Sequence, residues 1–271
     1  MENITIGYLS WKKHDILDQT LSTHKTNGLF DCIAPKNRLI YFQEINELDI
    51  HIANKYECNY IGSQENVGIL NAFIALVENC KTDYFIFCEN DFLLLQSQYT
   101  GFNIKSTLSD MINILQNDNL AQVRLSNSKI PGFLYSRKLI NDDWFQQDQT
   151  NCNFKVDSLS WLESPLEFYK NLQILKYNYE WIIFNLIDQG WSNHIYGCNT
   201  KYLKEIVVPI LKHNRDHNKN LDILYQGLED TLTFTSNIPD LDKNENIINL
   251  IEIHKKRKTY SGGGNFYHFK Y

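Results

Sequence analysis

Tyr84-Phe85-Ile86-Phe87-Cys88-Glu89-Asn90-Asp91 carries the most apolar short run of the chain straight into two carboxylates. Five apolar residues in succession leave neither face polar, so the run reads as a strand buried on both sides, as in the middle of a parallel sheet. In open α/β sheets ligands gather beyond the carboxyl ends of the strands. Glu89 and Asp91 stand at such an end and are the first candidates for chemistry. A solvated turn is the plain alternative for a pair of acids at a strand end.

Upstream of this strand, apolar runs alternate with helical spacing. Ile4-Thr5-Ile6-Gly7-Tyr8-Leu9-Ser10 reads as a buried strand, followed by a helix carrying Ile16, Leu17 and Leu21 and a turn at Asn27-Gly28. Arg38 to Phe42 is the second strand, a short helix covers Leu48 to Lys55, and Asn59 to Gly62 is the third strand. Apolar residues then recur at helical spacing between Asn66 and Val77. Strand, helix, strand in this rhythm predicts parallel βαβ units. Downstream the pattern is looser. Strands are expected at Ala121–Leu125 and His194–Gly197, a helix at Lys201–Leu211, another opening at Gly227–Leu232, and irregular chain from Ser126 to Asp157. The tail from His254 is basic and then glycine-rich to Gly264, which reads as mobile. No linker divides the chain, so residues 1–271 are expected to form one domain.

Acids outnumber bases by 32 to 26, giving a net charge of −6, which argues against a surface that wraps nucleic acid. No apolar run is long enough to span a bilayer and the start lacks a basic leader, so a soluble, cytoplasmic chain is expected. The six cysteines are scattered with no C-x-x-C pair, which predicts reduced thiols and no zinc. Aromatic residues make up 13% of the chain, a generous share. Trp144, Trp161, Trp181 and Trp191 read either as packing residues or as platforms for the C–H faces of sugars. Arg124 lies on a predicted inner strand and is a candidate for the cleft.

A short acidic triplet at a strand tip offers oxygens suited to Mg²⁺ or Mn²⁺, which in turn hold a diphosphate. With that chemistry in view, the sequence resembles the glycosyltransferases of the GT-A fold, especially the inverting ones. The resemblance is carried by Leu9-Ser10-Trp11, by Gln64 to Ala72, by the triplet after Cys88, by Ser192 to Glu205, by Leu228-Glu229-Asp230 and by Gly263 to His268, in the family's order. It implies an α/β, Rossmann-like three-layer sandwich around a central, mostly parallel sheet. Residues 1–95 would form the nucleotide-sugar half and residues 96–271 the acceptor and catalytic-base half. It further implies Mn²⁺ or Mg²⁺ on Asp91, with Glu89 and His268 as further ligands, His254 being the rival late histidine. Asp230 is implied as the catalytic base, with Glu229 as its competitor.

A nucleotide-sugar donor, with UDP as the default, would then lie over Ser10, Trp11, Glu44, Asn66, Gly68, Asn71, Glu89 and Asn90. The basic run would close over the diphosphate through Arg257 or Lys258 as a lid removable without loss of the fold. Core packing for Trp11, a cap or turn for Asn66-Val67-Gly68 and first-turn acids for Glu229-Asp230 are the plain alternatives. The acceptor would be a glycan or another hydroxyl compound. Three rival functions are a nucleotidyltransferase, a lectin-like module on the same scaffold and a glycoside hydrolase. Leu9-Ser10-Trp11-Lys12-Lys13 lacks the glycine-rich loop that nucleotidyl transfer calls for.

Overall fold

In the computed structural model the described residues are 1–97, 101, 103–116, 119–126, 173–186, 191, 195–220, 232 and 244–268, without the side chains of 126, 174, 182, 184, 217–220 and 261–268. β1 (Ile4–Trp11) pairs in parallel with β2 (Arg38–Gln43) and β4 (Tyr84–Glu89), and β2 with β3 (Asn59–Ser63). The continuous apolar runs of β1, β2 and β4 are buried on both faces, as their sequences require. β9 (Tyr196–Asn199) lies antiparallel between β4 and β6 (Leu120–Ser126). β10 (Lys258–His268) runs parallel to β6 and antiparallel to β8 (Glu180–Asn185) and to the short β5 (Phe92–Leu94), and β7 (Gln173–Lys176) closes the far edge on β8. The sheet order is β3-β2-β1-β4-β9-β6-β10-β8-β7, with β5 on β10. These pairings make seven of the ten strands among the described residues co-directional, with β5, β8 and β9 running the other way. The sheet is therefore central and mostly parallel, as the sequence led one to expect.

Helices cover both faces. On one lie α1 (His14–Thr26), α2 (Leu29–Cys32), α3 (Glu47–Lys55) and α5 (Ile104–Leu115), whose Leu17, Leu21, Phe30, Ile52 and Leu108 pack on Ile6, Tyr8 and Ile86. On the other lie α4 (Gly68–Asn79), α6 (Thr200–Tyr202), α7 (Val208–Asn220) and α8 (Glu245–Lys255), with a π-helical stretch, Leu203–Val207, joining α6 to α7. α5 approaches so closely that a Cβ at Gly197 of β9 would meet the Met111 sulfur. Asparagine side chains cap α3, α5, α6 and α8, at Asn46, Asn103, Asn199 and Asn244. Among the described residues no helix is long and apolar enough to cross a membrane. The described cysteines, Cys32, Cys58, Cys80, Cys88 and Cys198, are free thiols, and burial pushes Cys58 up to about 12. Cys152 lies outside the described residues.

The segment expected to be a loose tail departs most from the sequence reading. His254 and Lys255 end α8, and Lys258–His268 is a strand set inside the sheet with Thr259 and Tyr260 buried. Pairing on both sides outweighs the conformational freedom of three glycines. Their excess length is taken up by a register shift, since Ser261 faces Arg124 and Phe266 faces Ser126, so five steps of β10 oppose two of β6.

Candidate active site

The register aligns the carboxyl ends of the first four strands: Leu9 lies beside Glu89, Trp11 beside Gln43, and Gln43 beside Ser63. Trp11, Glu44, Gly68 and the acidic triplet accordingly share one edge of the sheet. Immediately past β1 and β2 the chain turns sharply, with Lys12 at φ 55 and Glu44 at φ 56. Both are non-glycine residues in the left-handed region, a strain on the order of 1 kcal/mol each that persists only where the surroundings hold it. What holds it is a clasp. Lys12 Nζ lies 2.6 Å from Glu44 Oε2, the Trp11 indole N–H donates to Glu44 Oε1 at 3.0 Å, and the ammonium sits 5.2 Å from the indole centroid. The hydrogen bonds from Lys12 and then Trp11 hold the Glu44 carboxyl below its usual range. Trp11 is 46% exposed, so the core-packing alternative fails.

Gly68 opens α4 at φ 78, a conformation that favours glycine, and its N–H is shared by Gln43 Oε1 and Asn66 Oδ1, each at 2.9 Å. Asn66 thus makes the turn that leads into α4, whose N-cap is Val67, as well as standing at the edge. Asn71 is committed to the framework, donating to the Val67 carbonyl at 2.8 Å and accepting from Arg215 Nη1 at 3.1 Å. Ser10 is buried within β1.

Glu89, Asn90 and Asp91 are half-buried, and after desolvation it is the charges of Asp91 and then Glu89 that raise the Cys88 thiol. β5 follows at once, and its pairing with β10 sets the Cα of His268 opposite Phe92, one residue from Asp91. The structure thus brings the backbone of His268 to the triplet. Its side chain lies outside the described part, and among the described residues no group of three ligand-type side chains converges.

His254 is not part of this edge. Its Nε2 lies 3.1 Å from the Leu232 carbonyl and its Nδ1 2.6 Å from the Tyr202 hydroxyl. A carbonyl only accepts, so Nε2 carries the proton and Nδ1 accepts from Tyr202. Both ring nitrogens are used, and burial first lowers this histidine to about 4. The rival late histidine is a core residue.

Arg257 and Lys258 are a second correction. Lys258 pairs with Leu120, at the amino end of β6, and Arg257 Nη1 donates to the Leu120 carbonyl at 2.8 Å while its guanidinium lies 4.2 Å from the Tyr202 centroid. From Leu120 to the carboxyl end of β6 is six steps of strand, about 20 Å. The two cations lie at the wrong end of the sheet to cover a diphosphate, because the tail that carries them starts a strand there.

Trp181 is fully buried and donates from Nε1 to Asp110 Oδ2 at 3.0 Å, and Trp191 packs against His254 and Tyr196. These two tryptophans are core residues. Arg124 is 1% exposed on β6 beside Tyr196, inside the sheet and not in an open cleft. Glu229, Asp230, Trp144 and Trp161 lie outside the described residues.

Sequence reasoning missed two features. One is Lys12, whose role shows only once β1 and β2 are neighbours. The other is a polar stripe on α1 and its C-cap, Asn27. Thr20 Oγ1 donates to the Asn90 carbonyl at 2.7 Å, His24 Nε2 to the Phe92 carbonyl at 2.8 Å and Asn27 Nδ2 to the Leu94 carbonyl at 2.6 Å, while the Leu94 N–H donates to Thr23 Oγ1 at 3.0 Å. Polar residues at positions i, i+3, i+4 and i+7 were the available signal, since that spacing marks one helix face.

No protein-family model matches the chain, and no curated protein sequence does. Among solved structures it is similar to S. aureus TarS 1-349, with a TM-score of 0.49 at 10% identity over 99% of this chain and 60% of that one. It is similar to glucosyl-3-phosphoglycerate synthase from Mycobacterium tuberculosis in complex with Mn²⁺, UDP and glucosyl-3-phosphoglycerate, with a TM-score of 0.44 at 9% identity over 100% and 73%. A third is the mannosyltransferase PcManGT from Pyrobaculum calidifontis in complex with GDP-Man and Mn²⁺, with a TM-score of 0.42 at 7% identity over 74% and 46%. The chain thus spans from under half to about three quarters of the lengths of these structures, and the likeness is one of chain course.

Proposed function

We propose that the chain is a metal-dependent glycosyltransferase of the GT-A kind, moving a sugar from a nucleotide-diphosphate donor, UDP-linked by default, to a hydroxyl of a glycan or other acceptor with inversion. The observation that carries this reading is the convergence at one sheet edge of an exposed indole clasped to a carboxylate, two half-buried acids and the backbone of His268. An indole face suits a nucleobase. Two carboxylates with an imidazole suit a hard divalent cation, so Asp91, Glu89 and His268 would hold Mn²⁺ or Mg²⁺. That cation, when bound, stabilises negative charge on a departing diphosphate.

The chain's own residues do the rest. Trp11 orients the base, and Glu44, already an acceptor for two N–H groups, takes a donor from the nucleoside as Lys12 swings aside. Asp230, with Glu229 as competitor, accepts the proton of the incoming hydroxyl. The test is a thermal-shift panel of UDP-, GDP-, CMP- and dTDP-sugars with and without Mn²⁺, since a ligand of the native state raises its stability. One nucleotide class should stabilise the wild type only with metal, and Asp91→Ala should lose that shift while melting alone as the wild type does. Stabilisation by glycans and by no nucleotide would favour the lectin or hydrolase reading.

A further inference from the structure

Resting on the transferase reading, we propose that α1 is the positioning element of the acidic loop, with Thr20 and His24 fixing the backbone on either side of Asp91 so that its carboxylate is placed before any cation arrives. The backbone groups gripped by α1 and its C-cap belong to Asn90, in the turn between β4 and β5, and to Phe92 and Leu94, alternate residues of β5 whose backbone groups point to one edge. On α1 and its C-cap, Asn27, the gripping residues 20, 23, 24 and 27 form one stripe.

The opposite edge of β5 is taken by β10, through Phe92 and His268. α1 therefore serves as a surrogate strand, side chains standing in for a ladder, and the residue next to Asp91 is held from both sides. His24 is itself fixed. Its Nε2 bears the proton given to Phe92, and its Nδ1 accepts from the Tyr8 hydroxyl at 2.6 Å, Tyr8 lying beside Cys88 in the β1–β4 pairing. Side chains that act on a site's backbone in this way lower the ordering that binding would otherwise require. Thr20, Thr23, His24 and Asn27 are positioning residues and touch no reacting atom.

The test compares wild type, Thr20→Val, Thr20→Ser and, as a second site, Asn27→Ala. Mn²⁺ uptake in the presence of UDP or GDP is read from the paramagnetic resonance of free Mn²⁺, alongside melting curves and amide exchange at residues 92 and 94. Thr20→Val should weaken Mn²⁺ uptake about tenfold and speed exchange at those amides, Thr20→Ser should restore both, and Asn27→Ala should act in the same direction more weakly. Unchanged Mn²⁺ uptake in both Thr20→Val and Asn27→Ala, whatever their melting temperatures, would overturn the positioning role while leaving the transferase reading intact. A wild type that takes up no Mn²⁺ with either nucleotide overturns the UDP- and GDP-linked transferase reading on which the positioning role rests.

Discussion

Two buried histidines, one on each face of the sheet, make the same pair of bonds for different ends. His24 accepts from Tyr8 and donates to the Phe92 carbonyl, and His254 accepts from Tyr202 and donates to the Leu232 carbonyl. In each the Tyr–His distance is 2.6 Å, the ring is neutral and burial is the first cause of a value lowered to about 4. They differ in the carbonyl they hold and in their neighbours. His24 is one of four side chains of α1 and its C-cap that hold the backbone on either side of Asp91, at the carboxyl edge. His254 packs between Tyr202 and Trp191, with the charges of Arg257 and Lys255 pressing it further towards the neutral form, near the amino end of β10. The same constellation is a fastener in one place and part of the proposed site in the other, and only the owner of the carbonyl tells them apart.

β10 links the two regions, starting beside Arg257 and ending beside Phe92, so removing residues 258–268 should break both. Loss of a cooperative melting transition is expected. A truncated chain that still melts cooperatively would restore the lid that the basic tail suggests. Next in size, His24→Leu and His254→Leu each leave a tyrosine hydroxyl and a carbonyl buried without their partner, at a cost of about 2–4 kcal/mol in urea unfolding. The comparison sharpens if the folded fraction of His254→Leu keeps Mn²⁺–nucleotide uptake and that of His24→Leu does not. It fails if both keep it or both lose it.

The smallest effect is in pH. Each histidine titrates at 6.5 unfolded and about 4 folded, so its contribution is complete above pH 6.5 and fades as the pH falls towards 4. Between pH 7 and pH 5 each should cost about 1–2 kcal/mol of stability. Urea midpoints at the two pH values check this, and His24→Gln and His254→Gln should each remove about half of the difference.

The first ninety residues were legible because their signals are local. Strand runs such as Tyr84–Cys88 and the spacing of Leu17 and Leu21 say what they are without knowledge of their neighbours. β10 was not legible, since Lys255-Lys256-Arg257-Lys258 and three glycines carry every mark of a tail, and what makes Lys258–His268 a strand is two partners distant in sequence. For the site, the triplet and Trp11 could be read from the ends of predicted strands. Lys12 could not, because its role needs the β1–β2 register; the spacing of Thr20 and Asn27 marks one face, but their polar side chains look like surface until the backbone they hold is known. Arg257 and Lys258 misled for the same reason as β10: charge and glycine say nothing about which end of a sheet they will occupy.

The inner place of β10 also bears on how such a chain can be made. During synthesis the ribosome delivers β6 and β8 well before residues 258–268, and until these emerge two strands present open backbone edges to whatever lies nearby. A nascent chain stalled short of residue 258 would therefore be a target for chaperones and for unwanted strand pairing. Final closure of the sheet waits until β10 has left the ribosomal tunnel.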